Sequence, residues 1–334
     1  MMSEKNFFAS LVPRVSVLML NFNYGRFLDR AIQSVLNQTY RNFELIVVDD
    51  GSEDDSWDRL IKYQEDFPDN LRVFSHEGHE HLGIVDSFWL AFSKANGSLV
   101  AFLDADDYWQ ECNLGKKVAV FDAHPEVAIV YSEYRPFGEP AETFYWRLYE
   151  TFCRKEIPFR VPFDLFPTLL RRNAAATFSS FMTRRTFLQA VPIPETSERN
   201  YDWWILGHLS LKGAAYFIPE KLVFWRIHRA SACYGRVTKV TLGRLFLFLN
   251  RYYRSLEKEL LRIEDIGGGE KAGKIRRAIS FLENIKNQKQ YRFAKEFILR
   301  PFETGKFLGY LFLRNLLFGK RVLFSVPETA TAGM

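Results

Sequence analysis

From residue 15 onward, apolar and polar positions switch between two periods. Val15-Ser16-Val17-Leu18-Met19-Leu20 is a β-rich apolar run that breaks into Asn21-Phe22-Asn23-Tyr24-Gly25, a polar and glycine turn. The next apolar residues, Phe27, Ala31, Val35 and Leu36, recur at helical spacing. A second run, Phe43-Glu44-Leu45-Ile46-Val47-Val48, ends in Asp49-Asp50-Gly51-Ser52. Ser52 or Asp54 is placed to cap a helix through Trp57, Leu60, Ile61 and Tyr63. Leu71-Arg72-Val73-Phe74 reads as a short strand, and a helix from Ile84 to Ala95 puts Val85, Phe88, Trp89 and Phe92 on one buried side. The run Leu99-Val100-Ala101-Phe102-Leu103 is too short for a helix, so it fits a central strand covered on both faces. A helix through Leu114, Val118 and Phe121 and a strand Val127-Ala128-Ile129-Val130-Tyr131 follow. This rhythm predicts an α/β fold, a Rossmann-like, mostly parallel sheet flanked by helices, with ligands gathering at the carboxyl ends of the strands.

Two of those carboxyl ends carry acid. Asp49-Asp50 closes the second strand, and Asp104-Ala105-Asp106-Asp107 closes the central one in a D-x-D pattern. If the backbone stays extended past Asp104, Asp104 and Asp106 point to one side and Asp107 to the other. Neighbouring carboxylates repel, so a hard divalent cation completed by phosphate oxygens is a natural counter-charge, while a solvated acidic turn is the plainer alternative. His76, His79 and His81 fall within six positions, but an isolated loop supplies no fixed geometry for zinc.

Composition changes the picture mainly at the end of the chain. From Arg236 on there are 20 Lys and Arg against 9 Asp and Glu, and before it 25 against 31, so a tail near +11 follows a body near −6. The tail is amphipathic and helical in pattern, first through Leu242, Leu245, Phe246, Leu249, Tyr253, Leu256 and Leu260, then from Lys271 past a triple-glycine break. Its last apolar patch, Phe307 to Phe318, is too short to cross a bilayer of roughly 30 Å. It suits an anionic membrane interface, with Lys306, Arg314, Lys320 and Arg321 reaching lipid phosphates, or a helix docked on the catalytic domain or on a second subunit as in a homodimer. Nucleic acid is a weaker partner, because the tail's aromatics lie in packing patterns and not in a stacking platform. Three widely separated cysteines, Cys112, Cys153 and Cys233, and no apolar run of spanning length imply a reducing, cytoplasmic setting, peripheral on the inner face of the membrane if the tail binds there.

Val15 to Tyr24, Gln33 to Tyr40, the strand into Asp49-Asp50-Gly51-Ser52, and Phe102 to Trp109 occur together in an order and spacing that resemble the family 2 glycosyltransferases. That is the large inverting class with the GT-A fold, which uses nucleotide-diphospho-sugars. The resemblance implies that Asn21, Phe22, Asn23, Tyr24, Asp49 and Asp50 contact the nucleotide, that Asp104 faces ribose or diphosphate, and that Asp106 holds Mn²⁺ or Mg²⁺. Gly83 matches the family's donor loop, although His81 and Asp86 depart from it. Asp202, before Trp203-Trp204, matches the family's acidic position and is the expected base for the acceptor hydroxyl. The Trp pair would then flank the acceptor or simply anchor its helix. Arg226-Ile227-His228 resembles the Arg-x-His segment that ends the catalytic domain, where Arg226 would serve the diphosphate and His228 the metal.

The expected organisation is a catalytic domain over 1–235, with a nucleotide-sugar part (15–131) and an acceptor part (132–235), then a basic helical extension over 236–334. The expected activity is metal-dependent, inverting transfer from a nucleotide-diphospho-sugar, a UDP-sugar first, to a glycan or lipid-linked acceptor in surface polysaccharide assembly. A nucleotidyltransferase or a non-catalytic sugar-nucleotide-binding subunit are the alternatives.

Overall fold

In the computed structural model, residues 12–139, 160–170, 177–194, 200–228, 251–260 and 268–287 are described. The apolar runs form β1 (Val15–Asn21), β2 (Phe43–Asp49), β3 (Leu71–Ser75) and β4 (Leu99–Asp104). They are joined by α1 (Gly25–Leu36), α2 (Ser56–Asp66) and α3 (Ile84–Lys94). All four strands pair in parallel, in the order β3-β2-β1-β4. Burial on both faces is why their sequences read as continuous apolar runs instead of alternating ones.

Beyond β4 the sheet becomes mixed. A short β5 (Tyr108–Trp109) precedes α4 (Asn113–Ala123), and β6 (Val127–Gly138) follows. Then come β7 (Pro162–Phe163), α5 (Phe166–Leu169), a 3₁₀ turn (Phe178–Ser180), β8 (Phe181–Arg184), α6 (Arg185–Leu188), α7 (Tyr201–Leu209) and β9 (Ala214–Ile227). The full order is β3-β2-β1-β4-β8-β6-β9-β5, with β7 on β9. Strand β8 runs antiparallel to both β4 and β6. Strand β6 extends seven residues past the apolar run that announces it. Its second half carries Glu133, Arg135 and Pro136 and is held by parallel pairing with β9 through register shifts, a long-range contact that no local pattern encodes.

Two apolar clusters cover the two faces of the sheet. One holds Leu28, Ala31, Ile32 and Val35 of α1 against Val17, Met19, Leu45 and Val47. The other holds Phe88 of α3 with Phe102, Phe181, Tyr201 and Trp204, and continues into the chain beyond residue 235. There a helical segment, 251–260, buries Tyr252, Tyr253, Leu256 and Leu260, and α9 (Gly268–Asn287), numbered after that segment as α8, adds Ala272, Ile275 and Ile279. Helix α8 is tied to α7 by His208 Nε2 and Ser255 Oγ at 2.9 Å, and by the Lys212–Glu259 ion pair just beyond. Gly207 lets Tyr252 approach so closely that a Cβ there would overlap its ring. This part of the tail therefore packs on one face of the sheet domain. The Phe307–Phe318 patch, and Leu242 to Leu249, lie outside the described residues. Among the described residues no helix is long and apolar enough to cross a membrane.

Candidate active site

The parallel strands deliver Asn21, Asp49 and Asp104 to one rim of the sheet, because all four run the same way and end in polar residues. Asn21 and Asp49 lie beneath that rim. Asn21 Nδ2 donates to Asp49 Oδ1 at 2.6 Å, and Ser52 donates its backbone N–H and its hydroxyl to the same carboxylate. Both side chains are almost fully buried, so they act as a buttress under the loops that follow β1 and β2. Asn23, at φ +58°, accepts the backbone N–H of Glu53 at 2.7 Å and joins the β1 and β2 loops. Of the two residues expected at the start of α2, Asp54 accepts the first helical N–H, from Ser56, and Ser52 does not. Ser52 serves Asp49, and Asp54 accepts from Gly25 N and Ser56 N, linking the starts of α1 and α2.

The histidine loop folds back onto the same two aspartates. Asp50 accepts the backbone N–H of Leu82 at Oδ1 (2.9 Å) and that of Gly83 at Oδ2 (3.0 Å), and His81 Nδ1 lies 2.9 Å from Oδ2. His79 Nε2 lies 3.3 Å from Asp49, and His81 stacks on the half-exposed Phe22 with ring centroids 3.9 Å apart. Gly51 makes this approach possible: at φ +73°, a Cβ there would come within 3 Å of the backbone at His79, Glu80 and His81. The histidines thus hold a loop in place, and each faces a carboxylate instead of a shared metal position.

The central acidic cluster departs from simple alternation. Asp107 N donates to Asp104 O at 3.0 Å, so the chain turns immediately after β4 and the extended geometry expected for Asp106 and Asp107 does not occur. That turn swings Asp107 back beside Asp104. Thr177 Oγ1 lies 3.1 Å from Asp104 Oδ2 and 3.2 Å from Asp107 Oδ2. Ser179 Oγ donates to Asp107 at 2.6 Å while accepting Asp104 N–H at 3.0 Å, and Arg226 N donates to the other Asp107 oxygen. Asp107 is therefore an internal clasp joining β4, the 3₁₀ turn and β9. Thr177 and Ser179 escaped the sequence reading because they stand some 70 residues away, in a stretch with no periodic pattern.

Asp106 points elsewhere. Its Oδ2 lies 3.0 Å from His228 Nε2, and Arg226 Nε donates to its backbone carbonyl at 2.8 Å. His228 sits edge-on to Tyr24, and among the described residues its buried Nδ1 has no hydrogen-bond partner. Burial pushes the Asp104 carboxyl up to about 7, aided by the charges of Asp106 and Asp202 and opposed by Thr177 and Ser179. Asp107 is pushed well above the usual carboxylate range by burial and then by the charges of Asp106 and Asp104. Such clustered, desolvated carboxylates disfavour one another's ionised forms, a repulsion that a cation would relieve.

The donor set fits a divalent cation only in part. Asp106 and His228 supply a hard oxygen and an imidazole nitrogen in contact, with one ring nitrogen still orphaned. Among the described residues no group of three or more His, Cys, Asp or Glu is arranged as a metal site. The two side chains suit an ion whose remaining positions come from a ligand's phosphate oxygens.

Asp202 lies in the first turn of α7 and accepts Trp203 N at 2.8 Å, and its charge acts on Asp104. The structure thus brings the two acidic candidates into electrostatic reach across nearly a hundred residues. The two tryptophans differ in burial, Trp203 being half-buried and Trp204 buried. Trp204 is 4% exposed and donates its indole N–H to Pro192 O, so its expected acceptor role is corrected to core packing. Trp203 Nε1 donates to Leu169 O at 2.6 Å, which anchors α7 to α5.

A parallel half-sheet with acid at its carboxyl rim, continued by an antiparallel strand and a mixed edge, makes this an α/β domain. The family model described as glycosyl transferase family 2 matches residues 16–189, and the chain belongs to that family. An uncharacterised glycosyltransferase of Nostoc sp. is 32% identical over 228 residues, covering 65% of this chain and 66% of that protein. The Escherichia coli protein named UDP-Glc:alpha-D-GlcNAc-diphosphoundecaprenol beta-1,3-glucosyltransferase WfaP is 30% identical over 120 residues, 36% of this chain and 45% of that protein. The chain thus spans between about half and two thirds of the length of these relatives. Among solved structures, S. aureus TarS 1-349 in complex with UDP-GlcNAc shares the fold at TM-score 0.61 and 16% identity, over 91% of this chain and 81% of that one. The mannosyltransferase PcManGT from Pyrobaculum calidifontis, in complex with GDP-Man and Mn²⁺, does so at 0.51 and 15%, over 93% and 89%.

Proposed function

We propose that the protein transfers a sugar from a nucleotide-diphospho-sugar to a hydroxyl of a glycan or lipid-linked acceptor, with inversion. The observation that carries this reading is the acidic cluster at the sheet's carboxyl rim, where Asp106 meets His228 and the charges of Asp106 and Asp202 both act on Asp104. The nucleotide would lie along the loops of Asn21, Phe22, Asn23, Tyr24, Asp50 and Gly83. Phe22 offers the exposed ring there, and the buried Asn21–Asp49 pair fixes the loop. A UDP-sugar is the donor favoured by the relatives whose names state one. Their diphosphoundecaprenol acceptors support a lipid-linked acceptor and assembly of a surface polysaccharide.

Asp106 and His228 would hold Mn²⁺ or Mg²⁺ against the donor diphosphate. When bound, such an ion neutralises the charge that develops on the leaving nucleoside diphosphate. The chain's own residues do the rest. Arg226, fixed by the Asp106 carbonyl, adds a permanent positive charge beside the leaving group. The Thr177, Ser179 and Asp107 clasp keeps the β4 terminus from shifting. Asp202 takes the acceptor proton as the new bond forms, since a single displacement needs one base and no covalent intermediate. We place this activity at the cytoplasmic side of the membrane, with the basic, apolar patch from Phe307 to Phe318 proposed to supply peripheral attachment.

Asp106→Ala tests the site. It is expected to abolish the stimulation of UDP binding by Mn²⁺ while leaving the far-ultraviolet circular dichroism unchanged, because the side chain lies at the end of a strand and outside both apolar clusters. Calorimetric titration of UDP with and without Mn²⁺ reads it. A variant that keeps full Mn²⁺ stimulation would remove Asp106 from the cation site.

A further inference from the structure

Helix α8 buries two hydroxyls along with its apolar surface. Tyr252 and Tyr253 lie wholly inside, where a phenylalanine would pack as well, and a buried hydroxyl costs stability unless it is bonded. Tyr253 donates to Leu170 O at 2.6 Å, and Tyr252 donates to Leu169 O at 3.4 Å. Those two carbonyls close α5, a four-residue helix whose last carbonyls need partners from elsewhere. Burial pushes both phenols up, so each remains a donor at any working pH.

The end of α5 is also where the start of α7 rests. Trp203 Nε1 donates to the same Leu169 carbonyl at 2.6 Å, its ring lies 5.9 Å from that of Tyr252, and its backbone N–H donates to Asp202. A connected path therefore runs from the two phenols through the Leu169 and Leu170 carbonyls to the Trp203 indole, and from there to the Asp202 carboxylate. The other ties between the two helices, His208 with Ser255 and Lys212 with Glu259, lie toward the far end of α7 and beyond it.

We infer that Tyr252 and Tyr253 are positioning residues for the transfer step: their hydroxyls fix the end of α5, and through Trp203 they fix the start of α7 and the direction in which Asp202 faces the acceptor. Helix α8 is then part of the acceptor half of the site. The inference rests on Asp202 as the base, and the test keeps the two apart.

Release of nucleoside diphosphate by the full chain from UDP-glucose, UDP-N-acetylglucosamine and GDP-mannose, with Mn²⁺ and with water as the acceptor, is the activity probe. Hydrogen–deuterium exchange across 201–204 reads the start of α7 without any donor. Tyr253→Phe, alone and combined with Tyr252→Phe, keeps the rings and removes the hydroxyls. Ser255→Ala breaks the His208 tie and controls for a general loosening of α8. The expected result for Tyr253→Phe is about a tenfold fall in kcat, the scale of one lost hydrogen bond, with donor KM and UDP affinity within about twofold. The double variant should fall further and exchange faster across 201–204, while Ser255→Ala keeps kcat within about twofold of the parent. On an Asp202→Asn background the tyrosine changes should cause no further fall, because the group they orient is already gone, whereas a loss of folded protein would lower both backgrounds alike. Parental kcat or parental exchange in the double variant, an equal fall on both backgrounds, or an equal fall in Ser255→Ala would reduce the hydroxyls to packing and overturn the inference. Asp202→Asn at the parental rate would overturn the base reading and this inference with it, and a slow Asp202→Asn beside a parental double variant would overturn the inference alone. In a parent that releases no diphosphate from the three donors, the exchange decides: faster exchange confined to 201–204 supports the inference, and unchanged exchange overturns it.

Discussion

Asp202→Asn is expected to lower the transfer rate by about 10²- to 10⁴-fold, or roughly 2.7 to 5.5 kcal/mol of barrier, while donor affinity is kept. The amide preserves the shape of the side chain and can still accept the Trp203 N–H, so α7 should start where it does now. What it loses is the capacity to take a proton from the acceptor hydroxyl. Its charge also disappears from beside Asp104, whose carboxyl should then ionise at lower pH. Donor binding that needs ionised Asp104 would thus gain slightly near pH 7 in the variant. Rates from product formation and UDP affinity from calorimetry, measured on the same preparation, separate the possibilities. If affinity collapses with rate, Asp202 belongs to the donor site, and if the rate persists, the base is another residue.

Lys117→Met is expected to stabilise the fold by about 3 to 5 kcal/mol at pH 7. Lys117 is fully buried on α4, and among the described residues its Nζ has no hydrogen-bond partner and lies 5.7 Å from the centroid of the Trp109 ring. Burial drops its pKa to about 7. Between that value and the unfolded value near 10.5 the unfolded chain binds more protons, so wild-type stability rises with pH across this window through this group. Methionine keeps the length of the side chain and removes the charge, so the variant should lose that slope. Urea unfolding at pH 7 and pH 9 measures both quantities. A variant less stable than wild type at pH 7 would mean that the ammonium has a partner worth more than its desolvation.

Much of the nucleotide half was legible in the chain because its information is local. Four apolar runs ending in polar or acidic residues place β1, β2, β3 and β4 and the residues at their tips, and the helices between them follow from spacing alone. The other half depends on contacts across 70 to 120 positions. The clasp of Thr177 and Ser179 on Asp107, the pairing of His228 with Asp106, and the second half of β6 along β9 are set by tertiary pairing. The tight turn after Asp104 misled the alternation argument, since a one-residue change of direction moves every later side chain. Trp204 misled it differently. An aromatic next to a candidate base suits a sugar face or a core equally well in sequence, and here its N–H is spent on Pro192.

The central claim is that the rim formed by β1, β2 and β4 binds a nucleoside diphosphate. Thermal unfolding of the full chain against UDP, GDP, CDP and dTDP, each with Mn²⁺, tests it most directly. A nucleotide present at about a hundred times its dissociation constant should stabilise the protein by roughly 2.7 kcal/mol. The account predicts a shift of that size for UDP that disappears in Asp106→Ala; no shift with any of the four nucleotides would contradict it.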